Sequence, residues 1–182
     1  VAMEVSSIGL DQGRVNGVHF DVAVFTNLTR DHLEYHGSMQ AYGAAKEALF
    51  ATPGLKAAVL NLDDALGSKI ARDLAGSGVQ VTGFTLRGEA ANGVDVLLAA
   101  ENITATPRGQ RFTAVTPQGR ADIQASVVGE FNVSNLLAVL GTLLASGVPL
   151  DQATAVLQGL TSSPGRMQAL GGDGQPLAVI DY

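Results

Sequence analysis

FDVAVFTNLTRDHLEYHGSMQAYGAAKEALF, residues 20–50, decides how this chain folds. Its first part, FDVAVF, is a short apolar run ended by Thr26 and Asn27, which reads as a buried strand of a parallel or mixed sheet. From Asp31 to Phe50 the period changes. Leu33, Tyr35, Met39, Tyr42, Ala45 and Leu49 recur at helical spacing, with Gly37 and Gly43 as weak points. The expectation is one helix over 31–50, stopped by Pro53-Gly54.

Working outward, the strand–helix alternation repeats. KAAVLNLDD (56–64) reads as a strand, DDALGSKIARDLAGSG (63–78) as a helix closed by glycine, and VQVTGFTL (79–86) as another strand. Upstream, residues 1–6 form an apolar run and read as a strand. SSIGLDQGRVNGVHF (6–20), with Gly9, Gly13, Asn16 and Gly17, reads as a short helix or loop. This predicts a doubly wound α/β fold: a mostly parallel sheet with helices on both faces. From Val94 to Val128 short runs separated by PRG and PQG predict an added antiparallel meander of hairpins. An apolar helix, FNVSNLLAVLGTLLASG, a second helix in PLDQATAVLQGL and a last strand, LAVIDY, complete the pattern.

Composition excludes several classes. The chain has 182 residues, 46% hydrophobic and 15% charged, enough for one domain with a real core. A net charge of −6 argues against a nucleic-acid backbone binder, though magnesium-neutralised mononucleotides stay within reach. No uninterrupted apolar run reaches the roughly 18 residues of a membrane span, and no signal peptide is recognisable. Zero cysteines remove disulfides and thiolate metal sites, which fits a cytoplasmic protein. Val1 opens directly on a strand-like run and Tyr182 follows LAVID without a turn residue, so 1–182 reads as an internal piece of a longer protein.

Few residues offer chemistry. Ligands of open α/β sheets gather beyond the carboxyl ends of strands, where Glu4, Ser6 and Asn27 are expected; Glu4 is either a ligand there or a strand-end carboxylate meeting solvent. His32 is either a metal ligand or phosphate donor, or an exposed first-turn residue of a helix capped by Asp31 or Thr29. Glu34 and His36 read as helix surface. Lys46, in AYGAAKEAL, either snorkels to water or loses its charge by a depressed pKa or covalent modification. The 182 residues contain no G-x-x-x-x-G-K-[ST] phosphate loop and no serine nucleophile elbow.

MEVSS-x-x-L-x-Q-x-R-V (3–15), FDVAVFTNLTRDHLEYHGSMQAYGAAK (20–46), GEFNVSNLLAVLGTLLASGVPL (129–150), GRM (165–167) and VIDY (179–182) together resemble the central, ATP-binding domain of the Mur ligases. The nearest likeness is to the MurE type, which acts on UDP-N-acetylmuramoyl-L-alanyl-D-glutamate. The resemblance runs over essentially the whole chain and is weakest across 88–125. It implies an ATP-dependent amide-bond ligase of peptidoglycan synthesis that adds the third amino acid to UDP-MurNAc-L-Ala-D-Glu through an acyl phosphate, with Mg²⁺ as cofactor. It also implies a phosphate loop and an N-terminal domain upstream, and a C-terminal domain downstream. No nucleic acid or membrane partner is implied.

By the same resemblance, Glu4 is expected as a ligand of one magnesium and His32 of a second, and Lys46 as a carbamylated lysine that supplies an oxygen ligand. Ser6, Gln12 and Arg14 are expected to hold the muramoyl peptide. Asn132 and Asn135 match adenine-side asparagines, with a helix N-cap and a first-turn polar residue as their local reading. Arg166 and Asp181 match ribose and phosphate contacts. One departure is Ser7-Ile8-Gly9, where the MurE type reads SSHAL or SSHGL. A folylpolyglutamate or cyanophycin synthetase relative and a degenerate Mur-like binding protein are the alternatives. The RDHLEYHG block with Ser6, Gln12 and Arg14 weighs against the first. Glu4, His32 and Lys46 occurring together weigh against the second.

Overall fold

VAVF becomes strand β1 (Val22–Phe25), with residues alternately packed into the two sides of a sheet. The computed structural model describes residues 1–89, 91–106, 109–172 and 175–181. β1 pairs in parallel with β2 (Ala57–Asn61), β2 with β3 (Gln80–Thr85), and β3 with the first half of β4 (Val96–Thr106). The second half of β4 turns antiparallel and continues through β5 (Gly109–Thr116) and β6 (Gly119–Ala125) as the expected meander. All six strands form one sheet in chain order. The PRG turn falls partly on residues 107–108, outside the described residues.

Helices cover both faces, as the alternation predicts. Ala58 and Leu60 of β2 pack with Ile70 and Ala71 of α4 (Ala65–Leu74) and with Phe50 and Leu55. Val59 points the other way, into the larger core made by α5 (Glu130–Ala145) and α6 (Leu150–Gln158) with Phe84, Leu98 and Phe112. β2 is buried along its full length, as expected of a central parallel strand. The residues just before β1 and β2 are tied by an exposed Lys56–Asp21 pair at 2.7 Å. Lys56's hydrogen bond and charge hold the Asp21 carboxyl below its ordinary value.

Two expectations change. Residues 1–6 are not a strand: they are largely exposed and pair with no strand among the described residues. An extended backbone needs a ladder partner, and here Ser6 instead caps α1 (Ser7–Asp11), its Oγ accepting the Gly9 amide at 3.0 Å. The helix expected over 31–50 is three pieces: α2 (Leu33–His36), α3 (Met39–Glu47) and a 3₁₀ turn (Ala48–Ala51). Gly37, at φ 73°, ends α2, and Ser38 restarts the chain by capping Ala41 N at 3.1 Å. Ser38→Ala is therefore expected to cost about 1 kcal/mol in urea unfolding. LAVIDY is the expected strand as far as Ile180, outside the six-stranded sheet. Its residues to Ile180 belong to β8 (Gln175–Ile180), which forms a separate antiparallel hairpin with β7 (Gln168–Gly172). Among the described residues no helix is long and apolar enough to cross a membrane.

Candidate functional site

At the carboxyl rim of β1, β2 and β3, the sequence NLDD (61–64) stitches three loops together. Asn61 Nδ2 donates to the Thr26 carbonyl at 2.7 Å. Asp63 accepts the Thr85 hydroxyl at 2.5 Å and the Leu86 amide at 2.7 Å. Asp64 accepts the Leu28 amide at 2.7 Å and caps α4 through Leu66 N at 2.8 Å. Apart from the α4 cap, these bonds span 22 to 36 residues of sequence. Local pattern therefore gave no signal beyond a polar ending to a strand.

The loop so held delivers His32. Its φ is 51°, a left-handed conformation uncommon for a residue with a side chain. His32 itself is the residue before α2, and neither Asp31 nor Thr29 caps that helix; Asp31 Oδ1 accepts the amide of His32 instead, at 2.8 Å. The half-exposed imidazole has Nδ1 3.7 Å from Asp31 and 3.8 Å from Glu34.

A buried tyrosine organises the wall opposite. His32 meets Tyr42 edge-on at 5.8 Å between ring centres, and Lys46 Nζ lies 5.1 Å from the centre of the same ring. His36, read from sequence as surface, is half-buried: it stacks on Tyr42 at 5.3 Å and its Nε2 is 3.0 Å from Ser7 Oγ. Tyr42 appeared in the sequence only as one apolar position of a helix. Its ring becomes a hub because α2 and α3 bend at Gly37, which no spacing rule encodes.

Lys46 also differs from the chain's other two lysines. Lys69 donates to Asp73 and Glu47, whose carboxylates raise its pKa, and Lys56 is paired with Asp21. Lys46 forms no ion pair with any described residue. The structure thus brings His32 and Lys46 onto one ring. Glu4 is exposed on the segment leading to α1 and forms no hydrogen bond or ion pair with either. Among the described residues no group of three or more His, Cys, Asp or Glu side chains is arranged to hold a metal ion.

The remaining expected residues fall into two sets. Ser6 is occupied as a helix cap, Gln12 Nε2 donates to Tyr35 Oη at 3.3 Å, and Tyr35 donates to Asp11 at 2.8 Å. Arg14 follows on the exposed surface. In the second set, Asn132 is not the N-cap of α5. That position belongs to Gly129 at φ 93°, where an added Cβ would lie 2.5 Å from the Phe131 ring. Asn132 Nδ2 instead turns back to the Val128 carbonyl at 2.7 Å, and its Oδ1 receives Asn135 Nδ2 at 3.2 Å. Asp181 Oδ1 accepts the Met167 amide at 3.2 Å, which brings Asp181 beside the residue following Arg166. Two open concavities of about 620 and 610 Å³ lie away from this rim, between β6 and α6 and between α4 and the 3₁₀ turn.

A mostly parallel sheet whose strand-end loops gather polar side chains on one rim defines an α/β ligand-binding domain of the open-sheet class. Matching that class, residues 1–143 fit the family described as Mur ligase middle domain, and the chain belongs to the Mur ligase family. It is 51% identical over 182 residues to the UDP-N-acetylmuramoyl-L-alanyl-D-glutamate--2,6-diaminopimelate ligase of Chromobacterium violaceum. To the ligase of the same name from Janthinobacterium sp. it is 48% identical over 184 residues. Both alignments cover all of this chain and 36% of the relative. A solved structure of a ligase of that name superposes with a TM-score of 0.83 at 36% identity, over 98% of this chain and 36% of the other. The chain therefore spans little more than a third of the length of these relatives.

Proposed function

We propose that this chain is the central domain of an ATP-dependent ligase that joins 2,6-diaminopimelate to UDP-MurNAc-L-Ala-D-Glu in peptidoglycan synthesis. The observation that carries this reading is identity of 48–51% along the entire chain to ligases named for that reaction. In the reading, the substrate's terminal carboxylate attacks the γ-phosphate of ATP, giving an acyl phosphate and ADP. The amine of the incoming amino acid then adds to the acyl carbon, and the tetrahedral intermediate expels phosphate. A phosphate loop and N-terminal domain before this segment, and a C-terminal domain after it, complete the enzyme. A reaction fed by ATP and a UDP-linked precursor belongs in the cytoplasm.

The physical difficulty is that a carboxylate and a triphosphate repel. Mg²⁺, when bound, supplies the opposing charge and orients both anions. Its ligands are assigned to Glu4, His32 and Lys46. The described residues gather no three ordinary ligands, and the donor chemistry fits once Lys46 is carbamylated. The neutral amine adds to CO₂ and releases a proton, turning a cation into an oxygen donor beside His32. An ammonium without a carboxylate partner is the lysine in this chain best suited to that conversion. Ser6, Gln12 and Arg14 are assigned to the muramoyl peptide, Asn132 and Asn135 to adenine, and Arg166 with Asp181 to ribose and phosphate.

The test is phosphate release by the full-length protein with ATP and Mg²⁺. The expected rate requires both UDP-MurNAc-L-Ala-D-Glu and 2,6-diaminopimelate. Equal rates with lysine would overturn the assigned amine, and no phosphate release with any amino acid would overturn the ligase.

A further inference from the structure

The loop that carries His32 is held by side chains from a different strand–helix unit. Asn61 binds the Thr26 carbonyl, and Asp64 divides its two oxygens between the Leu28 amide in the loop and the Leu66 amide in the first turn of α4. The Leu28 side chain follows its backbone inward. A Cβ on Gly43 of α3 would lie 3.3 Å from Leu28 Cδ2 and 3.5 Å from Leu66 Cδ2, so Leu28 is seated where α3 and α4 meet. Four residues later, His32 adopts its left-handed φ of 51°. A residue with a side chain keeps that conformation only where its surroundings impose it.

We propose that Asp64, assisted by Asn61, is a positioning residue: its Oδ2 anchors the Leu28 amide and thereby fixes the loop that presents His32 to the Tyr42 ring, which Lys46 also meets. An ionised carboxylate is suited to this, because it accepts on both oxygens and binds amides more strongly than a neutral group does. The two bonds can be separated. Asp64→Asn keeps an oxygen for the helix cap, a position asparagine favours, but sets an NH₂ group against the Leu28 N–H. Asp64→Ala loses both bonds. The kinetic consequence rests on the ligase reading above; the anchoring does not.

Amide hydrogen exchange on the full-length protein tests the anchoring, and ligase kinetics on the same samples test its consequence. In Asp64→Asn, exchange across 26–32 rises at least about tenfold while 65–74 stays as in the parent, the scale set by losing one charge-assisted hydrogen bond. In Asp64→Ala both segments open. In Asp64→Asn, kcat falls by about tenfold or more and KM for ATP stays within about twofold, because the change is in how the reacting groups are held and not in nucleotide contact. A loosened α4 with an unchanged loop would reduce Asp64 to a helix cap and overturn the proposal. So would a loosened loop with unchanged kcat. If the parent protein released no phosphate, the ligase reading would fail by itself, and the exchange pattern would still decide whether Asp64 anchors the loop.

Discussion

Lys46→Ala in the full-length protein is expected to lower kcat by about 10³-fold, the range seen when one preorganised charge-stabilising group is removed, while hardly moving the unfolding transition. The two halves of that expectation have separate sources. As a cation, Lys46 has, among the described residues, the Tyr42 ring 5.1 Å away and no ion pair. Such a contact at a partly exposed site is worth about 0.5–1 kcal/mol. As a carbamate it would be an oxygen donor next to His32, and its loss would leave the two reacting anions less well neutralised. Lys46→Arg is expected to fail as well, since a guanidinium keeps its charge and does not add CO₂ at neutral pH. Added formate or acetate is expected to restore part of the alanine variant's activity by supplying a carboxylate in the vacated space. Turnover in Lys46→Ala equal to that of the parent would remove Lys46 from the mechanism.

Gly67→Ala carries the largest expected stability effect, and two effects of opposite sign compete at this position. Gly67 lies inside α4, where exchanging glycine for alanine normally gains about 1 kcal/mol of helix propensity. But an added Cβ would lie 1.9 Å from the Asn61 carbonyl oxygen and 3.2 Å from Phe25 Cδ1. The first of these is backbone, which cannot rotate away, so helix and strand must separate. The net expectation is destabilisation by about 3 kcal/mol, measured as a lower urea midpoint. Gly43→Ala is the control, because its nearest neighbours at 3.3 and 3.5 Å are the ends of leucine side chains that can give. It is expected to change stability by about 1 kcal/mol or less. An unchanged or raised midpoint for Gly67→Ala would show that α4 does not approach β2 as closely as described.

Much of the sheet was legible because burial writes itself into sequence as a period. β2 is apolar up to Asn61 because both its faces are covered, and α4 shows its closing glycine. Failures came where structure depends on partners distant in sequence. VAMEVS has the composition of a strand, yet no ladder partner is present among the described residues. Gly37 was readable as a weak point but not as a full break, since Met39 and Tyr42 keep the helical period running past it. β7, rich in glycine, gave no strand pattern, and its pairing with β8 depends on the hairpin as a whole.

The site was legible in a similar proportion. His32 and Lys46 were singled out by residue type and resemblance, and the fold brings them to one ring. The ring itself, the His36–Ser7 contact and the NLDD clamp were missed. Each is a contact across 22 or more residues or between two helices whose angle is set at Gly37.

Whether Glu4, His32 and Lys46 share one cluster of divalent cations is best measured by anomalous scattering from Mn²⁺ soaked into crystals of the full-length protein with a non-hydrolysable ATP analogue. The expected result is a pair of neighbouring manganese peaks, one bonded to Glu4 and the other to His32, with a carbamate oxygen on Lys46 among their ligands. Manganese bound elsewhere, with Lys46 an unmodified ammonium and Glu4 turned to solvent, would contradict it.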